Sequence, residues 1–278
     1  MIYFFNKWHN GDFITQLMLI QKIQYLYPEL DVGCCCYQHH AYMLEGMNID
    51  KVELGRGTPE IDEPFYAAIR SKHKDAVIIN TWLGQFDDTH DHCWKNVVNV
   101  YNRVLLKNYN SVGPPPFVTD YEVQFVKFLP SPDIQMNDQK VNIYLNNGRP
   151  ISAHSEFVSG FEQGLSHFNN LDFYITSGTP FSNLKNIKDC SKMNLVELSS
   201  VSNRCDFIFG RGSGPFFNTF TYNNIHKQRF LLNFYNRVGQ ALLNPDEWPF
   251  RYKNDKVSNI KNVNELYNVL AGINRRLE

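Results

Sequence analysis

A chain of 278 residues is long enough for two domains of ordinary size, and 43% hydrophobic with 20% charged residues is a globular composition that lets each half bury a core. A formal net charge of −1 with no basic stripe argues against a nucleic-acid partner, whose phosphates would demand one. No run approaches the roughly 20 apolar residues that span a bilayer, and the N-terminus lacks the basic start and apolar core of a secretory signal, so a cytoplasmic protein is expected.

In chain order, Ile2 to Phe5 is a short apolar run that predicts a buried strand. The loop Trp8-His9-Asn10-Gly11 follows. A helix is predicted from about Asp12 to Tyr27, with Phe13, Leu17, Ile20 and Ile23 on one face and Pro28 closing it. Val32 to Tyr37 predicts a second strand. It carries Cys34, Cys35 and Cys36, which read as buried small hydrophobes because strand neighbours point to opposite faces and rarely pair. A short helix over Ala41–Met47, a strand over Lys51–Leu54, a helix over Pro64–Arg70, a strand over Ala76–Trp82 and a helix over Lys95–Leu106 complete a β–α alternation typical of a parallel sheet.

Breakers at Gly113-Pro114-Pro115-Pro116 and Pro130-Ser131-Pro132 flank a short helix near Tyr121–Phe128, and the interdomain linker is placed near 129–139. This gives one domain over 1–130 and another over 139–278. The second alternation predicts a strand from Val141, a helix over Ser155–Phe168, a strand over Leu171–Thr176, a strand over Asn194–Leu198 and another over Asp206–Gly210. A helix from Pro215, a strand over Arg229–Phe234 and an amphipathic helix over Asn262–Arg275 follow. The expected fold class is α/β, two Rossmann-like domains with parallel sheets.

Ligands of open α/β sheets bind outside the carboxyl ends of the strands, which draws attention to the loops there. After the first strand stands Asn10-Gly11-Asp12. Gly11 allows a tight turn, and Asp12 reads either as a general base or as the cap of the first helix. In the second half, Gly210-Arg211-Gly212-Ser213-Gly214-Pro215 follows a strand and opens a helix, an arrangement that binds phosphate through free N–H groups, with Arg211 adding charge. Asn147-Gly148-Arg149-Pro150 follows that half's first strand and brings Arg149 to the same side, ahead of Ser152, His154 and Ser155. Asp87-Asp88-Thr89-His90-Asp91-His92-Cys93 looks metal-binding but fits no standard zinc spacing and is read as a polar loop, and no metal is expected.

Two segments carry a resemblance. GDFITQLMLIQKIQYLYPELDV, residues 11–32, and LSSVSNRCDFIFGRGSGPFFNTF, residues 198–220, together about 45 residues, resemble the opening and the late motif of the heptosyltransferase-like group (glycosyltransferase family 9-like) of GT-B glycosyltransferases. The second segment matches a short helix, a strand and a Gly-rich turn ending Ser/Thr-Gly-Pro. The resemblance implies two Rossmann-like domains facing a cleft. It implies Asp12 as the base that activates the acceptor hydroxyl and Ser213 and Gly214 as donor-binding residues. The family often has an acidic residue before Ser/Thr-Gly-Pro and usually a His soon after the Pro; here Arg211-Gly212 and Phe216-Phe217 stand instead, which leaves the donor sugar and the acceptor open.

The function so implied is inverting, metal-independent transfer of a hexosyl or heptosyl unit from a nucleotide-sugar to a glycan or other hydroxyl acceptor, with no cofactor beyond the co-substrate. Asp12 is the catalytic candidate. Arg149, Arg211, Gly212, Ser213 and Gly214 are the donor-binding ones, and His9, Asn10 and Gly11 line the acceptor side. Two other readings remain open at this point: a noncatalytic nucleotide- or sugar-binding protein of the same fold, and a metal-dependent hydrolase using the His90–His92 region.

Overall fold

The computed structural model describes residues 1–55, 61–82, 102, 105, 135–148, 160–177, 184–211, 214–224, 226–232, 234 and 257–275. They fall into two compact units whose boundary lies near position 130.

The first unit holds a parallel sheet of β1 (Ile2–Phe5), β2 (Val32–Tyr37), β3 (Asp50–Leu54) and β4 (Val77–Asn80), in the order β3-β2-β1-β4. Every residue of β1 and β2 is buried, which explains why they read as unbroken apolar runs rather than as alternation. The three cysteines of β2 are free and fully buried, as their reading as small hydrophobes requires, and burial pushes the Cys35 thiol up to about 12. Gly33 sits in the middle of this strand because a Cβ there would come within 2.4 Å of the Tyr3 ring.

Helix α1 (Asn10–Leu26) is buried around most of its circumference, including Phe13, Ile14, Leu17, Met18, Leu19, Ile20 and Ile23. The helix expected at Ala41–Met47 is instead a 3-10 segment, Gln38–Leu44. Helix α2 (Glu63–Lys72) buries Phe65 and Ile69 against β1 and β2, where Phe5 stacks on Phe65 at 4.8 Å. Of the helix predicted over 95–106, only Asn102 and Leu105 are described; both are helical and Leu105 is buried. The segments 113–116 and 121–128 and the His90–His92 region lie outside the described residues.

The second unit holds six parallel strands in the order β10-β9-β8-β5-β6-β7. These are β5 (Val141–Asn147), β6 (Leu171–Ser177), β7 (Ile187–Asp189), β8 (Phe207–Gly210), β9 (Arg229–Leu232) and β10 (Val257–Ile260). The order is that of a doubly wound sheet whose first strand, β5, lies at the centre. Its core joins Ile143 and Leu145 to Phe173, Ile175, Phe209 and Phe230, and helix α5 (Val263–Arg275) docks Leu266, Leu270 and Ile273 onto it. No helix among the described residues is long and apolar enough to cross a membrane.

Three expectations are corrected here. Asn194–Leu198 is not a strand: Asn194 caps helix α3 (Leu195–Arg204), its side chain accepting from the N–H groups of Val196 and Glu197 at 2.9 and 3.0 Å while Glu197 accepts from Asn194 N at 2.7 Å. That reciprocal box decides a short apolar run that periodicity leaves ambiguous. In place of the helix ending at Phe168, the described residues hold a 3-10 segment, Phe161–His167, entered through a left-handed Gly160. The helix expected from Pro215 is a single turn, α4 (Gly214–Phe217), too short for a strong dipole.

Phe216 of that turn is fully buried against Gly210, where a Cβ would lie 2.4 Å from its ring. Gly210→Ala is therefore expected to lower stability by about 1–3 kcal/mol through overpacking. Chemical denaturation checks it, and an unchanged midpoint would remove packing as the reason for the glycine.

Candidate functional site

In both sheets the strand order reverses beside the first strand, and the described candidate residues follow the carboxyl ends of strands there. In the second unit the reversal falls between β5 and β8, which pair from Ile143↔Phe207 to Asn146↔Gly210. Asn146 is fully buried. Its Oδ1 accepts from Thr176 Oγ1 at 2.7 Å and from Gly148 N at 3.1 Å, and its backbone oxygen accepts from Arg211 N at 3.2 Å. Next to it Asn147 Nδ2 donates to Glu162 Oε1 at 2.8 Å. Glu162, itself buried, also accepts from Ser177 Oγ at 2.9 Å and from Gly160 N at 2.9 Å. One carboxylate thus ties the ends of β5 and β6 to the following segment.

β5 runs on into Gly148, which precedes Arg149 in the sequence, and β8 runs on into Arg211, which precedes the glycine turn. Arg149, Gly212 and Ser213 lie outside the described residues; Gly214 opens α4, held by Tyr144 Oη donating to Pro215 O at 3.1 Å. Arg211 is described and fully buried, and desolvation works against its charge. Its guanidinium stands inside the unit, not on an exposed rim.

In the first unit the reversal falls between β1 and β4, which pair from Ile2↔Val77 to Phe5↔Asn80. The helix starts two residues earlier than expected: His9 is the N-cap residue, its side chain makes no capping bond, and Asn10, Gly11 and Asp12 form the first turn. Asp12 is therefore not the cap. It is the third helical residue, half-buried, where unpaired N–H groups and the dipole favour a carboxylate.

Beneath this turn runs a buried polar chain. The Thr81 hydroxyl lies 2.7 Å from Gln16 Oε1 and 3.0 Å from Phe5 O, and Asn6 Nδ2 donates to Thr81 Oγ1 at 3.4 Å and to Asp12 O at 3.5 Å. Gln16 Nε2 reaches Cys34 Sγ at 3.1 Å. Lys7 is paired with Asp62 at 2.7 Å, and Asn80 Nδ2 donates to Asp62 Oδ2 at 3.1 Å.

His40 fixes the other side of the turn. Its Nε2 is 2.9 Å from Asn10 Oδ1, which can only accept, so Nε2 carries the proton. Phe13 stacks on the ring at 4.5 Å. Burial first, then His39 and His9, pull its pKa down to about 3. An unfolded His takes up a proton near 6.5. Between those values the unfolded state binds more protons, so stability falls as pH drops below about 6.5. His40→Gln, which keeps an N–H donor for Asn10, is expected to remove that slope. Between pH 6.5 and 4.5 the wild type should lose about 2–3 kcal/mol more than the variant in chemical denaturation; equal losses would refute it.

Asn6, Gln16, Thr81, Asn146 and Glu162 belong to no motif of the sequence. A signal existed for some: Asn directly after an apolar strand predicts a side chain that turns the chain, and a Gln inside FITQLMLI must find a buried partner. Among the described residues no group of three His, Cys, Asp or Glu is placed to hold a metal ion.

No protein-family model matches this chain, and no curated protein matches it by sequence. Solved structures do match. The glycosyltransferase family 9 protein of Veillonella parvula is 12% identical with a TM-score of 0.55, over 98% of this chain and 88% of that one. E. coli heptosyltransferase WaaC with ADP is 10% identical with a TM-score of 0.57 over 100% of both chains. E. coli ADP-heptose lps heptosyltransferase II is 12% identical with a TM-score of 0.58, over 99% and 98%. At such identities the likeness is one of fold: α/β, with the two Rossmann-like units of the GT-B type.

Proposed function

We propose that this protein is a glycosyltransferase that moves a hexosyl or heptosyl unit from a nucleotide-sugar to a hydroxyl acceptor, with inversion and without a metal. One observation carries the reading. The Asn147-Gly148-Arg149 loop and the Gly210–Gly214 turn leave adjacent strands, β5 and β8, at the point where the six-stranded order reverses, which is where such sheets bind nucleotides. The fold supports it, being shared with WaaC, whose structures hold ADP or ADP-2-deoxy-2-fluoro heptose.

In this reading the backbone of Gly212, Ser213 and Gly214 holds the donor diphosphate. Arg149 supplies the charge that meets the leaving group, and buried Arg211 adds its field. His9, Asn10 and Gly11 shape the acceptor side. Asp12 takes the acceptor proton as the hydroxyl attacks the anomeric carbon and the nucleoside diphosphate departs.

The test is a melting screen with ADP, UDP and GDP and their common sugar conjugates, with and without chelator. A bound donor at about 100 times its Kd adds roughly 2.7 kcal/mol of stability. The expected result is a clear rise in Tm with one nucleotide series, undiminished by chelator. No rise with any of them overturns the reading.

A further inference from the structure

The first unit ends two neighbouring strands in the same way. Asn6-Lys7-Trp8 follows β1 and Asn80-Thr81-Trp82 ends β4. In each, the Asn Oδ1 accepts the backbone N–H of the Trp two residues on, at 3.0 and 2.9 Å. Such turns are locally determined and rigid. They bring the two indoles together at 5.2 Å between ring centroids and 34° between planes, over the point where the four-stranded order reverses. Both indoles are only half-buried. Among the described residues the buried Trp8 Nε1 has no hydrogen-bond partner, a cost that Phe would avoid if the ring served packing alone.

We propose that Trp8 and Trp82 form the acceptor subsite and that the group they receive is an uncharged pyranose ring; this rests on the transferase reading above. A pyranose has an apolar face of C–H groups that lies flat on an aromatic ring, while its hydroxyls point sideways to donors and acceptors, the mix that aromatic-lined pockets with few polar groups recognise. The charges at the platform fit a neutral ring. Lys7, 5.8 Å from the Trp8 ring centroid, is already paired with Asp62. Asp12 stands in the first turn of α1, where its backbone oxygen accepts from Asn6 Nδ2 at 3.5 Å. An anionic acceptor would have to draw Lys7 from its partner and approach a carboxylate. Stacking on these rings also holds a sugar beside the first turn of α1, which carries the proposed base.

The experiment has two arms on the full chain. In the first, binding without donor is measured on an array of defined oligosaccharides with neutral, uronic, ulosonic or phosphorylated ends. In the second, transfer from the donor found in the melting screen is measured to the same sugars and to phenolic and peptidyl hydroxyls. Binding and transfer are expected on neutral ends. Trp8→Ala and Trp82→Ala should each raise the acceptor KM by about tenfold, with donor Kd within about twofold of wild type and partial recovery in Trp8→Phe and Trp82→Phe. Preference for acidic ends, transfer to non-sugar hydroxyls alone, or unchanged acceptor KM in folded Phe and Ala variants overturns the proposal. Donor binding with none of the sugars bound or used refutes the platform and leaves the transferase reading standing. Trp-dependent sugar binding with no donor bound does the reverse.

Discussion

Replacing Asp12 by Asn is expected to leave a folded protein that binds its donor normally and turns it over roughly 10²–10⁴-fold more slowly, the usual cost of removing a general base. The position makes the substitution clean. Asp12 is the third residue of α1, and His9, not Asp12, stands at the N-cap. The backbone oxygen that Asn6 reaches at 3.5 Å is unchanged by the substitution. What the helix loses is a negative charge in its first turn, worth about 0.3–1 kcal/mol at an exposed site. A small drop in Tm with a large drop in turnover separates the two roles, because Asn keeps an acceptor oxygen and loses the ability to take a proton. Turnover with a working acceptor, run beside a melting curve and a donor titration on the same preparation, is the measurement. Full activity would reduce Asp12 to a carboxylate that steadies a helix end.

The same position shows how far the sequence could be read. A buried strand, a polar loop and a long apolar helix were legible from Ile2 to Leu26, because burial on all sides leaves apolar runs and helical spacing survives even in α1. The start of the helix was misplaced by two residues, since a His N-cap that makes no side-chain bond leaves no cue. Strands β7 and β10, three and four residues long, carry too few apolar positions to stand out. The turn α4 was overestimated because a Pro after glycines signals a helix start and says nothing of its length.

The candidate site divides along the same line. Motif residues such as Asp12 and Arg211 were visible because glycines mark their loops. Their supports, Asn6, Thr81, Gln16, Asn146 and Glu162, were not, because partners far apart in sequence meet only once the sheet order is set. Asn6 and Thr81 are 75 positions apart, and Asn146 and Thr176 are 30 apart.

Of those supports, Glu162 should matter most to the fold of the second unit. Glu162→Ala is expected to cost about 2–4 kcal/mol, because it removes the acceptor of three hydrogen bonds, the Asn147 one buried and the Ser177 and Gly160 ones partly buried. Their donors are Asn147 Nδ2 and Ser177 Oγ on Oε1, at 2.8 and 2.9 Å, and Gly160 N on Oε2, at 2.9 Å. They belong to the ends of β5 and β6 and to the entry of the 3-10 segment, so the loss falls on the strand end from which Gly148 and Arg149 depart. Glu162→Gln preserves an amide oxygen for Asn147 and Ser177 but turns an N–H toward the Gly160 N–H. Its cost should be smaller, about 1–2 kcal/mol, from the one donor left facing a donor. If Arg149, two residues beyond β5 in the sequence, meets the donor as proposed, donor affinity should fall in the same order, Ala below Gln below wild type, while the first unit keeps its stability. Chemical denaturation gives the ranking, and amide exchange in β5 and β6 against β1 and β2 shows which unit loses protection. Equal midpoints for all three proteins, or exchange rising equally in both units, would refute the assignment of Glu162 as the tie at the ends of β5 and β6.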